Sequence, residues 1–262
     1  MTAEEAGGPA RLAHLCRHPI KAIGYEDLSE MTLTPGAPAP WDRRWAVAHG
    51  GTDPDSLDGR WISKHHFLRG VAAPALMAVR AHLEAGSGQV TLRHPHRPTL
   101  TFGPDDPADT ERFLDWIAPL WPEGRHPPTA IVRARGGAFG DWPDPYVAIV
   151  NLASQRALSA RMGTALSAHR WRANLWLDGL PPWSEFDLVG SEIAIGSVRL
   201  RVAARITRCR ATCGNPETGG ADADTLSGLQ AGFGHQDFGV YGIVTEGGAL
   251  RPGDPVRTEL AP

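Results

Sequence analysis

Short apolar segments separated by glycine, proline and other turn residues form the main pattern of hydrophobic and polar positions along the chain. Apolar runs of about four to eight residues bounded by such turns are typical of β-strands. The pattern therefore predicts mainly β structure with some α, an α+β fold class. It predicts strands at residues 11–16, 28–33, 44–48, 89–93, 99–102, 129–133, 146–150 and 171–177, and hairpins at 191–208 and 240–256.

Three segments predict helices instead of strands. Residues 107–120 are the clearest of these, because Asp106 can cap the first turn. Residues 153–162 form a second predicted helix, which Gly163 can terminate, and residues 222–229 form a short third one. The 30 glycines and 23 prolines of the chain fit the same picture of many short elements joined by turns.

A proline-rich stretch near the middle of the chain marks the predicted domain boundary. Residues 122–128 contain three prolines and a glycine between the last predicted helix of the first half and the next strand. We therefore expect two domains, at residues 11–122 and 129–258. The second contains seven or more predicted strands, a number that suggests a closed or half-closed β-barrel.

The overall charge and the cysteine content exclude several classes of protein. A net charge of -3 and an isoelectric point near 6.4 give no basic surplus for nucleic acid. No run reaches the roughly 18 apolar residues that a membrane-spanning helix needs, and residues 1–10 lack the basic and apolar blocks of a signal peptide. Three widely separated cysteines do not form a secreted disulfide framework. We therefore expect a cytoplasmic protein without a membrane partner.

Cys209 is the strongest candidate for chemistry. It lies between Arg208 and Arg210 at the end of a predicted strand. Two neighbouring guanidinium groups favour the thiolate, which is the form that attacks electrophiles or binds soft metals. If an anion-binding pocket surrounds Cys209, the segment forms a metal–cofactor site; otherwise Cys209 is an ordinary half-buried cysteine.

A series of short motifs runs through about residues 11 to 258. The first half contains His18-Pro-Ile-Lys21, Asp42-Arg-Arg-Trp45 and Trp61-Ile-Ser-Lys64, and the second contains Arg170-Trp-Arg-Ala-Asn174, Trp183-Ser-Glu-Phe-Asp187, Arg208-Cys209, Asn215-Pro-Glu-Thr-Gly219, Phe238-Gly-Val-Tyr241 and Gly253-Asp-Pro-Val256. In their order these motifs resemble the MOSC domain and the β-rich domain that precedes it in many members. The pattern is similar to that of the mitochondrial amidoxime-reducing component and its bacterial counterparts.

The resemblance implies a molybdenum cofactor, a pterin dithiolene that carries molybdenum and a terminal phosphate, held between the two domains. It implies that Cys209 ligates the metal, while Cys213 falls where the family requires no thiol. The cofactor contacts that it implies are Lys21, Arg43, Asn151, Ser154, Arg172, Asn174, Thr207 and Arg208. Ala22 departs from the family pattern, because a serine often follows the lysine there.

Each of these residues also has an ordinary structural explanation. Lys21 could be a solvated lysine at a strand edge, Arg43 could form a surface ion pair with Asp42, and Arg172 could pack on neighbouring tryptophans. Asp141 and Asp144, in the glycine-rich loop at residues 136–145, could reach a substrate.

The activity that the resemblance implies is reduction of small N-hydroxylated compounds such as amidoximes, hydroxylamines and N-hydroxy bases. The chain has no four-cysteine set for an iron–sulfur cluster, so electrons would come from a separate ferredoxin, flavodoxin or cytochrome with its reductase. The alternative is a non-enzymatic carrier of the molybdenum cofactor or of its sulfur. A third hypothesis keeps the fold and lets the arginines bind an ordinary phosphate.

Overall fold

The structure is a computed structural model that describes residues 9–259. Residues 1–8 and 260–262 lie outside the described residues. The prediction that residues 1–10 are not a signal peptide therefore falls mostly outside them. The three α-helices of the described range are α1 (Pro107–Ile117), α2 (Leu152–Met162) and α3 (Thr225–Phe233). Its strands are β1 (Arg11–Arg17), β2 (Glu26–Leu28), β3 (Met31–Leu33), β4 (Trp45–His49), β5 (Arg80–Glu84), β6 (Gln89–His94), β7 (Arg97–Phe102), β8 (Pro128–Arg133), β9 (Val147–Asn151), β10 (Leu175–Asp178), β11 (Glu192–Ile195), β12 (Val198–Thr207), β13 (Asp237–Glu246), β14 (Gly248–Leu250) and β15 (Val256–Glu259).

An eight-stranded sheet in the order β15-β11-β12-β13-β9-β10-β1-β2 forms the largest part of the fold. The pair β9–β10 is parallel and the other pairs are antiparallel. Alternate residues of β9 enter two different apolar clusters, one on each face, so that the whole strand is buried. Helices α2 and α3 pack against one face through Leu158 and Leu229. The expected α+β fold with mainly β structure is confirmed.

A second core lies around the three-stranded sheet β5-β6-β7 and helix α1. Phe102 of β7 stacks on Phe113 of α1 with ring centroids 4.6 Å apart. The Asp106 side chain accepts a hydrogen bond from the Ala108 amide, which confirms the predicted cap. Strands β4 and β8 form a separate two-stranded sheet. Among the described residues, no helix is both long and apolar enough to cross a bilayer.

Strands β1 and β2 belong to the same sheet as the strands of the second half of the chain. β1 pairs with β10, and the β1 residue Leu12 also donates its amide to the Asp254 carbonyl. The N-terminal segment therefore crosses onto the C-terminal sheet before the chain builds the second core. The boundary expected between residues 122 and 129 stays a prediction.

Several predicted elements differ from the structure because apolar alternation does not identify the strand that each segment pairs with. The predicted strand at 28–33 is two strands, since β2 pairs with β1 and β3 pairs with β14. The predicted hairpin at 240–256 is wrong, because β13 pairs with β12 and β9. The predicted strand at 171–177 begins only at Leu175, after a 3-10 turn at Ala168–Trp171.

Gly239 in β13 is expected to be intolerant of a side chain. Its φ is +79°, and a Cβ there would lie 2.4 Å from Val150 Cγ1 and 2.5 Å from the Ile149 carbonyl oxygen. The left-handed backbone and the overlap together predict that Gly239→Ala lowers the free energy of unfolding by about 3 kcal/mol. Gly234 has a similar φ of +78° but no atom within 4 Å of the added Cβ, so Gly234→Ala should cost only about 1 kcal/mol. Equal costs in urea denaturation would contradict this account.

Candidate active site

A cavity of about 490 Å³ brings together residues from several separated parts of the chain. Its walls include the segment after β1, the turn before β4, residues 59–71, the loop at residues 136–146, residues 170–174 and the end of β12. Seven residues expected at the site line this cavity, namely Lys21, Arg43, Arg172, Asn174, Thr207, Arg208 and Cys209. Asp141 and Asp144 line it as well.

The thiol of Cys209 is exposed at the end of β12. The residue lies immediately before a 3-10 turn at Arg210–Cys213, and its carbonyl accepts hydrogen bonds from the Thr212 amide at 3.1 Å and the Thr212 hydroxyl at 3.0 Å. These two bonds fix the backbone from which the thiol projects. Cys213 is buried, with its Sγ 3.7 Å from the Thr225 hydroxyl, and it does not line the cavity.

Two arginines of the cavity wall donate hydrogen bonds to backbone carbonyls only, and the Arg208 guanidinium also lies over the Trp171 and Phe238 rings, 5.7 and 5.8 Å from their centroids. Arg208 donates from Nε to the Phe238 oxygen and from Nη1 to the Trp171 oxygen, each at 2.8 Å. Arg172 donates to the Gly24 and Ile20 oxygens at 3.1 and 3.3 Å. Within residues 9–259, neither guanidinium forms an ion pair with a carboxylate.

The pKa values of the same two arginines are lowered because their guanidinium groups are buried without a paired carboxylate. Burial lowers the pKa of Arg172 to about 9, and the charge of Arg43 adds to the effect. Burial likewise lowers the pKa of Arg208 to about 10. Both shifts mean that the positive charges are incompletely compensated by the protein. An anion bound in the cavity would supply that compensation.

Lys21 is fully engaged within the protein. Its ammonium group donates to the Phe139 oxygen at 2.8 Å, the Gly140 oxygen at 3.2 Å and Asp141 Oδ1 at 2.9 Å. Lys64 donates to the other Asp141 oxygen at 3.1 Å. Against the effect of burial, the two lysines hold the pKa of Asp141 well below its usual range. Lys21 and Lys64 therefore fasten the glycine-rich loop to the cavity wall.

Arg43 belongs to a hydrogen-bond network that extends from the cavity wall to the buried His18. Asp42 accepts from the His18 amide at 2.8 Å, from His18 Nδ1 at 3.1 Å and from the Arg43 guanidinium. The same guanidinium donates to the Arg172 carbonyl at 2.9 Å. The network connects the turn before β4 to the segment that carries Arg172, and so fixes both arginines relative to each other.

The cavity wall contains an unusual concentration of left-handed backbone. Ala22, Arg43 and Arg172 have φ values of 61°, 48° and 48°, and all three line the cavity. Residues other than glycine adopt this conformation at a cost of about 1–2 kcal/mol each. Such strain tends to occur at functional sites, where the surrounding structure holds the backbone in a required direction.

The buried imidazole of His18 predicts a loss of stability in mild acid. Burial, with the charge of Arg172 adding to it, lowers the pKa of His18 to about 3, whereas an unfolded histidine titrates near about 6.5. The unfolded chain then binds more protons between these values, so stability is lost as the pH falls from about 6.5 towards 3. In thermal unfolding measured across this window, His18→Gln should flatten the profile, and the exposed control His96→Gln should leave it unchanged. If the stability of His18→Gln depended on pH as steeply as that of the wild type, this prediction would be wrong.

Two of the expected cofactor contacts lie outside the cavity. Asn151 caps helix α2 by accepting from the Ala153 amide and donates to Glu185 at 3.1 Å, and the Ser154 hydroxyl donates to Glu185 at 2.7 Å. Burial raises the pKa of Glu185, and these donors offset part of that effect. The expected turn between strand and helix is present, but its polar groups hold a buried carboxylate. We therefore leave both residues out of the proposed site.

Asn174 and Thr207 line the cavity with polar groups that are engaged elsewhere. Asn174 accepts from the Ala148 amide at 3.1 Å and donates to the Cys16 carbonyl at 3.3 Å. The Thr207 hydroxyl donates to Asp237 at 2.6 Å. These contacts hold the ends of β10 and β12 in place, so the two side chains shape the wall of the cavity.

Sequence reasoning missed the role of Arg170. Its buried guanidinium donates to the Thr212 and Gly214 carbonyls at 3.2 and 3.0 Å and pairs with Asp222 at 2.8 and 3.0 Å. It therefore holds the turn that follows Cys209. The motif Arg170-Trp-Arg-Ala-Asn174 contained this residue, but nothing in the sequence indicated which groups its guanidinium would bind.

Aromatic residues of the cavity were also missed. Tyr146 stacks on Tyr241 at 4.7 Å along one wall, and Trp61 and Trp142 are exposed at the rim. Tyr241 and Trp61 both belong to the sequence motifs noted above, which was the signal available for them.

Family models match both halves of the chain. The MOSC N-terminal beta barrel domain matches residues 9–116, and the MOSC domain matches residues 136–257. The chain therefore belongs to the MOSC family and has a MOSC N-terminal domain ahead of its MOSC domain. MOSC domains are associated with molybdenum cofactor binding.

Comparisons with individual proteins add little to this assignment. No curated protein matches the chain. Among solved structures it is similar to the YuaD protein from Bacillus subtilis, with 13% identity over 97% of each chain and a TM-score of 0.47. It is also similar to YiiM from Geobacillus stearothermophilus, with 18% identity over 43% of this chain and 53% of that chain and a TM-score of 0.34. Because both TM-scores are low, no conclusion about this chain rests on them.

Proposed function

We propose that the cavity binds a molybdenum cofactor through Cys209 and that the loaded protein reduces small N-hydroxylated compounds. The observation that carries this proposal is an exposed thiol in the same cavity as two arginines, Arg172 and Arg208, that have no carboxylate partner within residues 9–259. A soft thiolate suits the metal, and the unpaired cations suit the anionic phosphate.

The residues present fit such a group. A volume of about 490 Å³ falls in the range of pockets that take ligands of this size, roughly 300–1,000 Å³. Cys209 supplies the metal ligand, and Arg172 and Arg208 supply positive charge for the phosphate and the pterin, while Arg43, which is paired with Asp42, positions Arg172. Lys21 acts differently from our expectation, because its ammonium group already has three acceptors in the glycine-rich loop. Its contribution is to position that loop over the cavity.

The proposed reaction breaks the N–O bond of an N-hydroxylated substrate. An amidoxime accepts two electrons and two protons and yields an amidine and one water. The bound cofactor supplies the two-electron redox chemistry, while the chain binds the cofactor, orients the substrate and limits access of water. The electrons come from a separate donor protein of ferredoxin, flavodoxin or cytochrome type.

Catalytic turnover separates this proposal from the carrier alternative. Molybdenum-loaded protein is mixed with benzamidoxime and a reduced viologen dye, and benzamidine formation is followed against dye oxidation. We expect many equivalents of benzamidine per chain, with two electrons consumed for each. Loaded protein that forms no benzamidine would contradict the reductase proposal and favour a carrier of the cofactor.

A further inference from the structure

Three potential metal ligands converge at a place outside the cavity. Cys16 of β1 and Asp27 of β2 are directly paired across the antiparallel ladder. His169 reaches them from the 3-10 turn at Ala168–Trp171. One ligand atom from each residue lies within 4.8 Å of the other two, and none of the three residues lines the cavity that contains Cys209.

The separations within this cluster are close to those of a zinc site. Cys16 Sγ is 3.3 Å from Asp27 Oδ1, and Asp27 Oδ2 is 3.4 Å from His169 Nε2. Zinc bonds of about 2.3 Å to sulfur and about 2.0–2.2 Å to nitrogen and oxygen, arranged as a tetrahedron, require ligand atoms about 3.3–3.6 Å apart. The two contacts that Asp27 makes, one through each carboxylate oxygen, therefore fall in or near this range, and one ligand atom from each of the three residues lies within 4.8 Å of the others.

The His169 imidazole is held in place beside Asp27, with its Nε2 towards the carboxylate. The ring stacks on Tyr25 with centroids 4.0 Å apart, which fixes its plane. Its Nδ1 is buried and has no hydrogen-bond partner among the residues that the structure describes. The ring nitrogen that faces Asp27 is Nε2, so the cluster would bind a cation through Nε2. The Asp27 side chain is 67% exposed, so a cation can enter and keep a water ligand.

We propose that Cys16, Asp27 and His169 bind a divalent cation of the zinc type, with solvent in the fourth position. A thiolate, an imidazole and a carboxylate form a ligand set that zinc accepts. The bound ion would connect the β1–β2 pair to the turn that leads into Arg172. This proposal is independent of the molybdenum cofactor, because the two sites share no residue.

The test uses the full chain with Cys209 replaced, so that the cavity thiol cannot supply a binding site. Cobalt(II) serves as the probe, since a cysteine thiolate bound to cobalt gives a charge-transfer band in the near ultraviolet. We expect Cys209→Ser protein to bind one equivalent of cobalt with this band and zinc to displace it. Adding Cys16→Ser should abolish the band, and adding Asp27→Asn or His169→Gln should weaken binding by at least about 10-fold.

A second readout and a control keep this test independent of folding defects. Zinc should raise the thermal unfolding midpoint of Cys209→Ser protein, because a ligand that binds only the folded state stabilises it. The rise should be clearly smaller with Asp27→Asn, a change at an exposed side chain, and persist in full with the control His82→Gln, which alters an exposed imidazole outside the cluster. No cobalt band in Cys209→Ser protein, or binding that Asp27→Asn and His169→Gln leave unchanged, would overturn the proposal.

Discussion

Replacing Cys209 with serine is expected to lower benzamidoxime reduction by at least about 100-fold, a large effect for a change of one atom. The thiol is exposed, lines the cavity and projects from a backbone that Thr212 holds in place. A serine hydroxyl has a similar size but is not a soft anionic ligand at neutral pH, so the protein loses its bond to the metal. The measurement is the rate per chain with reduced viologen as the electron source.

Cys213→Ser is the matched control for this prediction. Cys213 is only four positions away, but it is buried against Thr225 and lies outside the cavity. We expect Cys213→Ser to keep most of the activity, with at most a small loss of stability from placing a hydroxyl in the core. Full activity in Cys209→Ser, or equal losses in the two variants, would contradict the assigned role of Cys209.

Replacing Arg172 with glutamine is expected to separate cofactor binding from stability. The variant loses a cation that has only carbonyl partners in the protein, so its affinity for the anionic cofactor should fall by about 10–100-fold. The free energy of unfolding of the cofactor-free protein should change little, because removing an uncompensated charge offsets the loss of two hydrogen bonds. Cofactor retention on dilution and urea denaturation measure the two effects.

Arg170→Gln, in contrast to Arg172→Gln, should lower the stability of the protein whether or not cofactor is bound. Its guanidinium pairs with Asp222 and with two carbonyls of the turn after Cys209, and none of these bonds depends on a ligand. We expect the free energy of unfolding to fall by about 2–3 kcal/mol, including in the cofactor-free protein. If Arg172→Gln is as destabilising as Arg170→Gln in the absence of cofactor, then Arg172 is a structural residue and the charge argument fails.

Much of the fold could be predicted because local signals determine many of its elements. The Asp106 cap and the left-handed Gly163 mark one end of each of two helices, and β11 and β12 turn where the pattern places a hairpin. Partner choice could not be predicted in the same way. Both β1 and β13 lie beside β-strands distant in sequence, and apolar alternation contains no information about such pairing.

The candidate site, like the fold, could be predicted from the sequence only in part. The motifs brought Cys209, Arg172 and Arg43 into consideration, and one cavity contains all three. They did not predict which polar groups were already engaged. Ser154 is bonded to Glu185 and Lys21 to the glycine-rich loop, and such contacts depend on the tertiary arrangement of segments far apart in the chain.

The molybdenum content of folded protein tests the central claim most directly. Wild-type chain is purified from a host that makes the cofactor, and its molybdenum and organic phosphate are measured per chain by elemental analysis. We expect both in stoichiometric amounts in the wild type and in Cys213→Ser, and neither above trace level in Cys209→Ser of equal thermal stability. Folded wild-type protein without molybdenum, or molybdenum retained in full by Cys209→Ser, would contradict the assignment of this cavity as a molybdenum cofactor site.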